Sequence, residues 1–351
     1  MKKIIGLFAV LLVLFAMAGC SKKDSGAAGS AAPIKWKMTT IYVDVPEGTD
    51  PTFKSLGASM RKFTADVNAK SNGRLEITGF YNAVLGSAND TFQQMERGET
   101  QIYYGQPMSA IDSRFAAWSL PYLFRDYDEV DKILNNPESE LYKISEKWIG
   151  DYNGKLLSMG ITCFRGIFNT KHRVVKVSDL NDLRIRTYED PIVNSFWAGI
   201  SQAMPIPISE VYTALQTKSI DGLEFTANSV LGRKYNEVGK FYSTINWQYT
   251  NGATMIVNKD AFNKLPADLQ KLVMDCAREA TASQAKQEIA DEGVAFKMLR
   301  DSGVEVYEIS PAELQDWVKY ATSLSAKLRT AVGAEVYDEV IKIVEAERAK
   351  L

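Results

Sequence analysis

Leu265-Pro266-Ala267-Asp268-Leu269-Gln270 opens the longest helical stretch of the chain, and its length decides the architecture. The helical pattern runs over 266–300, about 35 residues and so roughly 50 Å at 1.5 Å per residue. That is longer than one small domain is wide, so the helix is expected to brace two. Upstream, Lys35-Trp36-Lys37-Met38-Thr39-Thr40-Ile41 alternates as a strand and 44–50 breaks into a loop. Phe53, Leu56, Met60, Phe63 and Val67 then recur at helical spacing, which predicts a helix over 51–70 closed by Ser71-Asn72-Gly73. Strands at 74–78 and 101–105 flank a short helix over 90–97 that ends at Gly98. Strand, helix, strand, helix, strand implies βαβ units and a largely parallel sheet in an α/β fold.

Leu120-Pro121-Tyr122-Leu123-Phe124 has a proline at its centre and reads as a rigid connection, not a central strand. Helices are expected over 127–134 and 139–148, then a buried strand over 154–163 in which 155–160 could cross between domains. Further strands are expected at 183–188, 221–225 and 255–257, with a helix over 191–199 and another over 210–217 capped by Ser209. Beyond the long helix, 304–309 alternates as a strand. Ser310-Pro311-Ala312-Glu313 is a capping box with proline at the first helical position. The chain then reads as helical to Leu351, with a break at Gly333 and no internal repeat.

The N-terminus is built differently. Met1-Lys2-Lys3 precedes an apolar run of about 14 residues, shorter than the roughly 20 needed to span a bilayer. Met17-Ala18-Gly19-Cys20 resembles a bacterial lipobox, with a plain secretory signal as the alternative. The expectation is a signal peptide over 1–19, then Cys20 as a lipidated first residue followed by a Gly/Ala/Ser-rich tether. The full chain has a net charge of −2; without residues 1–19 it has 39 basic and 43 acidic residues, a net charge of −4. No basic run is present, so nucleic acid is excluded as a partner. Cys163 and Cys276 have no metal-ligand spacing and read as buried thiols or as one disulfide.

Chemistry is sparse. His172 is the one histidine, so no histidine-based metal site can form and any Ser-His-Asp triad would depend on it. There is no Gly-x-Ser-x-Gly elbow, phosphate loop or G-x-G-x-x-G run. No cofactor and no catalysis are expected. The arginines carry more information. Leu183-Arg184-Ile185-Arg186-Thr187-Tyr188 alternates as a strand, and Arg165 stands in the apolar run Cys163-Phe164-Arg165-Gly166-Ile167-Phe168. A guanidinium among apolar residues is costly unless it is paired or faces a wet cleft. Two readings stand side by side: carboxylate partners within the fold, or a shared ligand carboxylate gripped by the guanidinium forks.

Several blocks, in order, resemble the substrate-binding subunits of tripartite ATP-independent periplasmic (TRAP) transporters of the dicarboxylate type. These are Leu85-Gly86, Gly98 with the strand after it, Leu120 to Phe124, and Arg165. Asp179-Leu180 leading to Leu183-Arg184-Ile185-Arg186, Ser209 to Gln216, Asp221-Gly222-Leu223-Glu224, and Leu265 to Gln270 follow. The resemblance covers about 35–300. It implies a two-domain periplasmic-binding-protein clamshell with mixed, largely parallel sheets, hinge strands and a long helix bracing both domains. On that plan 34–160 forms domain I, with 247–265 returning to it, and 161–246 forms domain II. Residues 266–300 brace the two, 301–351 add a strand and helices, and 20–33 are the anchor and tether.

Arg186 falls at the family's principal carboxylate-binding position and Arg165 at a supporting one. Glu224 falls where the family has a glutamate preceding a ligand-facing residue, here Phe225, which is asparagine in sialic-acid-binding members. Those members also carry acidic residues near the positions of Ala88 and Gln106. These departures imply a carboxylate with a less polar body, a mono- or dicarboxylate or a keto acid, walled by Phe225 and Gln106, with Tyr188 as a further candidate. The expected partners are a small organic acid, the integral membrane subunits of a TRAP transporter, and a bilayer through Cys20. The rival readings are a binding lipoprotein of an ATP-driven importer, a periplasmic enzyme on the same scaffold, or an adhesin or sensor.

Overall fold

Eleven strands form two sheets in a computed structural model, which describes residues 32–351 except 49, 51 and 189. The leader, Cys20 and nearly all of the tether lie outside the described residues. The first sheet has the order β2-β1-β3-β10-β4. Its strands are β1 (Ile34–Thr40), β2 (Leu75–Phe80), β3 (Ile102–Tyr104), β4 (Gly154–Met159) and β10 (Thr254–Asn258). The second has the order β11-β9-β5-β8-β6-β7. It is made of β5 (Arg165–Asn169), β6 (Arg184–Thr187), β7 (Gln202–Pro205), β8 (Gly222–Phe225), β9 (Phe241–Gln248) and β11 (Glu305–Tyr307). Both sheets are mixed: β1 pairs with β2 and β3 in parallel, whereas β10 runs antiparallel to β3 and β4. In the second sheet β5 is antiparallel to both β8 and β9, and β6 is parallel to β7 and β8.

The helix Ser55–Lys70 shows why the first sheet forms. Met60, Phe63 and Val67 share one face and are fully buried, packed with Trp36, Met38, Leu75 and Ile77 of β1 and β2. Each such side chain contributes about 1.5–3 kcal/mol when removed from water. The helix begins at Ser55, later than its periodicity predicts, because Phe53 takes a left-handed conformation (φ 59°) that cannot continue a helix. The helix Ala88–Arg97 stops at Gly98 (φ 75°), as its sequence predicts, and starts two residues earlier than expected on a capping box between Ser87 and Asp90. Ser209 does not cap the next predicted helix. It lies in a 3-10 turn, Ile208–Glu210, that runs straight into the helix Val211–Gln216, whose cap residue Glu210 makes no side-chain capping bond.

The long helix spans Ala267–Asp301, 35 residues. It packs on Ser55–Lys70 and β4 of the first sheet and on the helix Ala227–Gly232 and β11 of the second. Polar bonds from residues of both halves of the chain hold it near its middle. Gln284 Nε2 donates to Ile161 O (2.7 Å), Asn228 Nδ2 to Glu288 Oε1 (3.1 Å), and Phe53 N to Asp291 Oδ2 (2.8 Å). Two segments carry the chain between the sheets beneath it, 160–164 and 249–253. They lie side by side: Gly160 N donates to Ala253 O and Tyr249 OH to Gly160 O, each at 2.9 Å. Gly160 is needed for this approach, since a Cβ there would sit 2.5 Å from Gln284 Oε1. The largest apolar cluster joins Leu156 and Ile256 of the first sheet to Ile167, Ile185 and Ile245 of the second. Trp317 and Val340 of the C-terminal helices complete it. Cys163 and Cys276 are both free and buried, and burial raises the pKa of each thiol.

Candidate ligand-binding site

The strand directions gather the arginines at one edge of the second sheet. β6 and β8 run in parallel, so Arg186 and Glu224-Phe225 emerge at their carboxyl ends. β5 runs the other way, so Arg165, its first residue, reaches the same edge, and β9 delivers Gln248 opposite it in register. Carboxyl ends of parallel strands are where open α/β sheets hold ligands.

Arg165 and Arg186 differ sharply in their partners. Arg165 is buried and its Nε donates to Glu224 Oε2, while Nη2 donates to Glu224 Oε1 and to Glu224 O, each at 2.9 Å. Glu224 is fully buried. The guanidinium also lies against two rings, with Cζ 5.5 Å from the Tyr188 centroid and 5.2 Å from that of Phe225. Burial opposes its charge, but Glu224 more than offsets that and its pKa is raised. Arg186 is only 4% exposed, and its Nε donates to Ile206 O at 3.0 Å. Among the described residues no carboxylate forms an ion pair with it. Burial pulls its pKa below the ordinary arginine value, Arg165 adds to that, and Glu224 works the other way. A buried guanidinium whose fork has no carboxylate is the arrangement an anionic ligand completes.

Tyr188 sits among these charges: Asp190, Arg165, Glu224 and Arg186 all act on its phenol, whose pKa is raised chiefly by burial. Its hydroxyl is buried with no hydrogen-bond partner among the described residues. Phe225 is nearly buried and tilts against Tyr235, with ring centroids 5.9 Å apart. Gln106 lies beyond β3 on the first-sheet side, where its Nε2 donates to Ser119 Oγ at 3.1 Å. The structure therefore brings Arg165, Arg186, Glu224, Phe225 and Tyr188 together, while Gln106 is bonded to Ser119 on the first-sheet side.

Sequence reasoning missed Gln248 and Asp190. Gln248 is 1% exposed; its Nε2 donates to Ser119 O at 2.7 Å while its Oε1 is buried without a partner among the described residues. Asp190 accepts from Ile192 N and Val193 N, and its Oδ2 takes the hydroxyl of Ser109, from the segment after β3, at 2.9 Å. The proline at 191 was the available signal, since Asp before Pro at a helix start marks a cap. Gln248 carried none, because β9 was not recognised as a strand. Arg184 takes the other fate. It is held by Asp221 through Nε at 2.9 Å and Nη2 at 2.8 Å. His172 is partly exposed, beside Asp182 at 3.0 Å, and no metal-binding group of side chains occurs among the described residues.

A model of the DctP family, bacterial extracellular solute-binding protein family 7, matches residues 49–330. The chain belongs to that family, as the ordered blocks of its sequence imply. It is 25% identical over 329 residues to the C4-dicarboxylate-binding periplasmic protein DctP of Rhodobacter capsulatus, covering 90% of this chain and 92% of that one. A TRAP periplasmic solute binding protein from Ochrobactrum anthropi superposes with a TM-score of 0.78 at 25% identity, over 90% of this chain and 96% of that one. The sugar acid binding protein of Advenella mimigardefordensis, solved with galactonate, shares the fold with a TM-score of 0.77 at 23% identity, over 90% and 99% of the two chains. Among the described residues no helix is long and apolar enough to cross a membrane.

Proposed function

We propose that this solute-binding protein captures a small organic carboxylate at the shared edge of β5, β6, β8 and β9. Arg186 supplies the main charge-assisted bonds through its unpaired fork. Arg165 adds a second contact through Nη1, the part of its fork that Glu224 leaves free. Glu224 holds Arg165 in place, Phe225 and Tyr188 wall the site, and Gln106 approaches from the first-sheet side. Capture closes domain I (34–160 with 247–265) on domain II (161–246), because a ligand touching both stabilises the closed state. The ligand then passes to the integral membrane subunits of a TRAP transporter, with Cys20 mooring the protein to a bilayer and no chemistry done on the cargo.

The observation that carries this reading is Arg186, buried and without an ion pair among the described residues. Support comes from the relatives, one named for C4-dicarboxylates and one solved with galactonate. Mass spectrometry of whatever co-purifies will identify a carboxylate, and calorimetry will then measure its affinity for wild type and Arg186→Lys. Lysine keeps the charge but loses the fork, so affinity should drop by more than about tenfold. Equal affinity in the two proteins would sink the carboxylate clamp.

A further inference from the structure

The charges and the unused polar atoms around Arg186 restrict the ligand further. Arg165 is neutralised by Glu224, so one guanidinium is left for an anion. Asp190, buried four residues beyond Arg186, brings a second carboxyl to the same edge of the sheet, satisfied by two backbone N–H groups and Ser109. A second carboxylate on the ligand would enter a buried region that already holds Glu224 and Asp190, with no spare cation among the described residues to receive it.

Two buried atoms near the arginines have no hydrogen-bond partner among the described residues. Gln248 opposes Arg165 in register, and the bond from its Nε2 to Ser119 O fixes its amide so that Oε1 is the free acceptor. An acceptor can be satisfied only by a donor, which neither a methylene nor a ketone provides. The Tyr188 hydroxyl, on a ring that lies against the Arg165 guanidinium, can accept from the ligand or donate to it. Buried polar atoms without partners are costly, so sites of this kind strongly reject analogues that lack the matching group.

We propose that the ligand is a monocarboxylate bearing at least one hydroxyl, and that Gln248 and Tyr188 are the residues that select the hydroxyl. This refines the expectation of a less polar body drawn from Phe225: that ring adds an apolar surface, and Gln248 and Tyr188 add polar atoms. The inference rests on the carboxylate reading above.

The test compares the affinity of wild-type protein for six acids at two chain lengths. The four-carbon set is butyrate, succinate and 2,3,4-trihydroxybutanoate; the six-carbon set is hexanoate, adipate and galactonate. At one length or both, the polyhydroxy acid should bind at least about tenfold more tightly than its plain and dicarboxylate counterparts. Tyr188→Phe removes an oxygen with no protein partner, so its melting temperature should hold while that preference shrinks below about threefold. Gln248→Leu should shrink it as well. A dicarboxylate that binds as tightly as the polyhydroxy acid, or a preference untouched by both substitutions, would overturn the inference and leave carboxylate capture standing. If none of the six acids binds, the carboxylate reading falls and the inference with it.

Discussion

Arg184 and Arg186 are two residues apart on one four-residue strand, yet they lie in opposite electrostatic settings. At the amino end of β6, Arg184 is partly exposed and gripped by Asp221 through two of its nitrogens. At the carboxyl end, Arg186 is buried with a backbone carbonyl as its hydrogen-bond partner. The first arrangement serves the fold. The second leaves a buried guanidinium without a carboxylate among the described residues, as the proposed anion site requires. Arg165 falls between them, paired like Arg184 and buried like Arg186. Partnering, not burial or sequence position, separates Arg184 and Arg165 from Arg186, the arginine proposed to hold the ligand.

The largest test of that contrast is Glu224→Gln. It leaves Arg165 charged and buried without its counter-ion, and unfolding in denaturant should show a loss of about 3–5 kcal/mol. A loss under about 1 kcal/mol would mean that Arg165 never depended on Glu224. Next comes Asp221→Asn, which weakens the grip on Arg184. Because Arg184 is partly exposed, the same measurement should record about 1–2 kcal/mol. Arg186→Met should move stability the other way, raising it by about 0.5–2 kcal/mol in ligand-free protein while carboxylate binding is lost. A clear destabilisation there would show that Arg186 is structural after all.

The smallest effect concerns acid. Arg184 holds the Asp221 carboxyl well below the usual carboxylate range. A depressed carboxyl contributes stability above its unfolded value of about 3.9 and loses it as pH falls towards the folded value. Melting temperatures measured from pH 6 to pH 2 should therefore fall more steeply for wild type than for Arg184→Met. Parallel curves would show that the pair contributes nothing to acid sensitivity.

The two ends of β6 also show where sequence reading stops. The alternation of Leu183, Ile185 and Thr187 with the arginines marks a strand, because side-chain direction has a period of two residues. The long helix, the capping box at Ser310 and the stop at Gly98 were legible for the same reason: each is a signal confined to neighbouring residues. Ser209 looked like such a signal and was not, since a 3-10 turn already led into the helix it would have capped. The partners of the arginines were not legible. Asp221 is 37 residues from Arg184, Glu224 is 59 from Arg165, and nothing local distinguishes either from the other carboxylates of an acidic chain. The resemblance to a family singled out Arg186 and Arg165, but not that one is spoken for and the other free.

By itself, the sequence determined the α/β class, the helix long enough to brace two sheets and the strand that carries Arg186. These follow from composition and from periodicities of two and 3.6 residues, which local chain geometry imposes. Tertiary structure alone decided which arginine stays unpaired, that β9 brings Gln248 opposite Arg165, and that Asp190 and Tyr188 crowd the same edge. Those facts depend on which strands become neighbours and in which direction they run. That choice is made when the apolar faces of distant segments are buried together, and charge pairing follows from it.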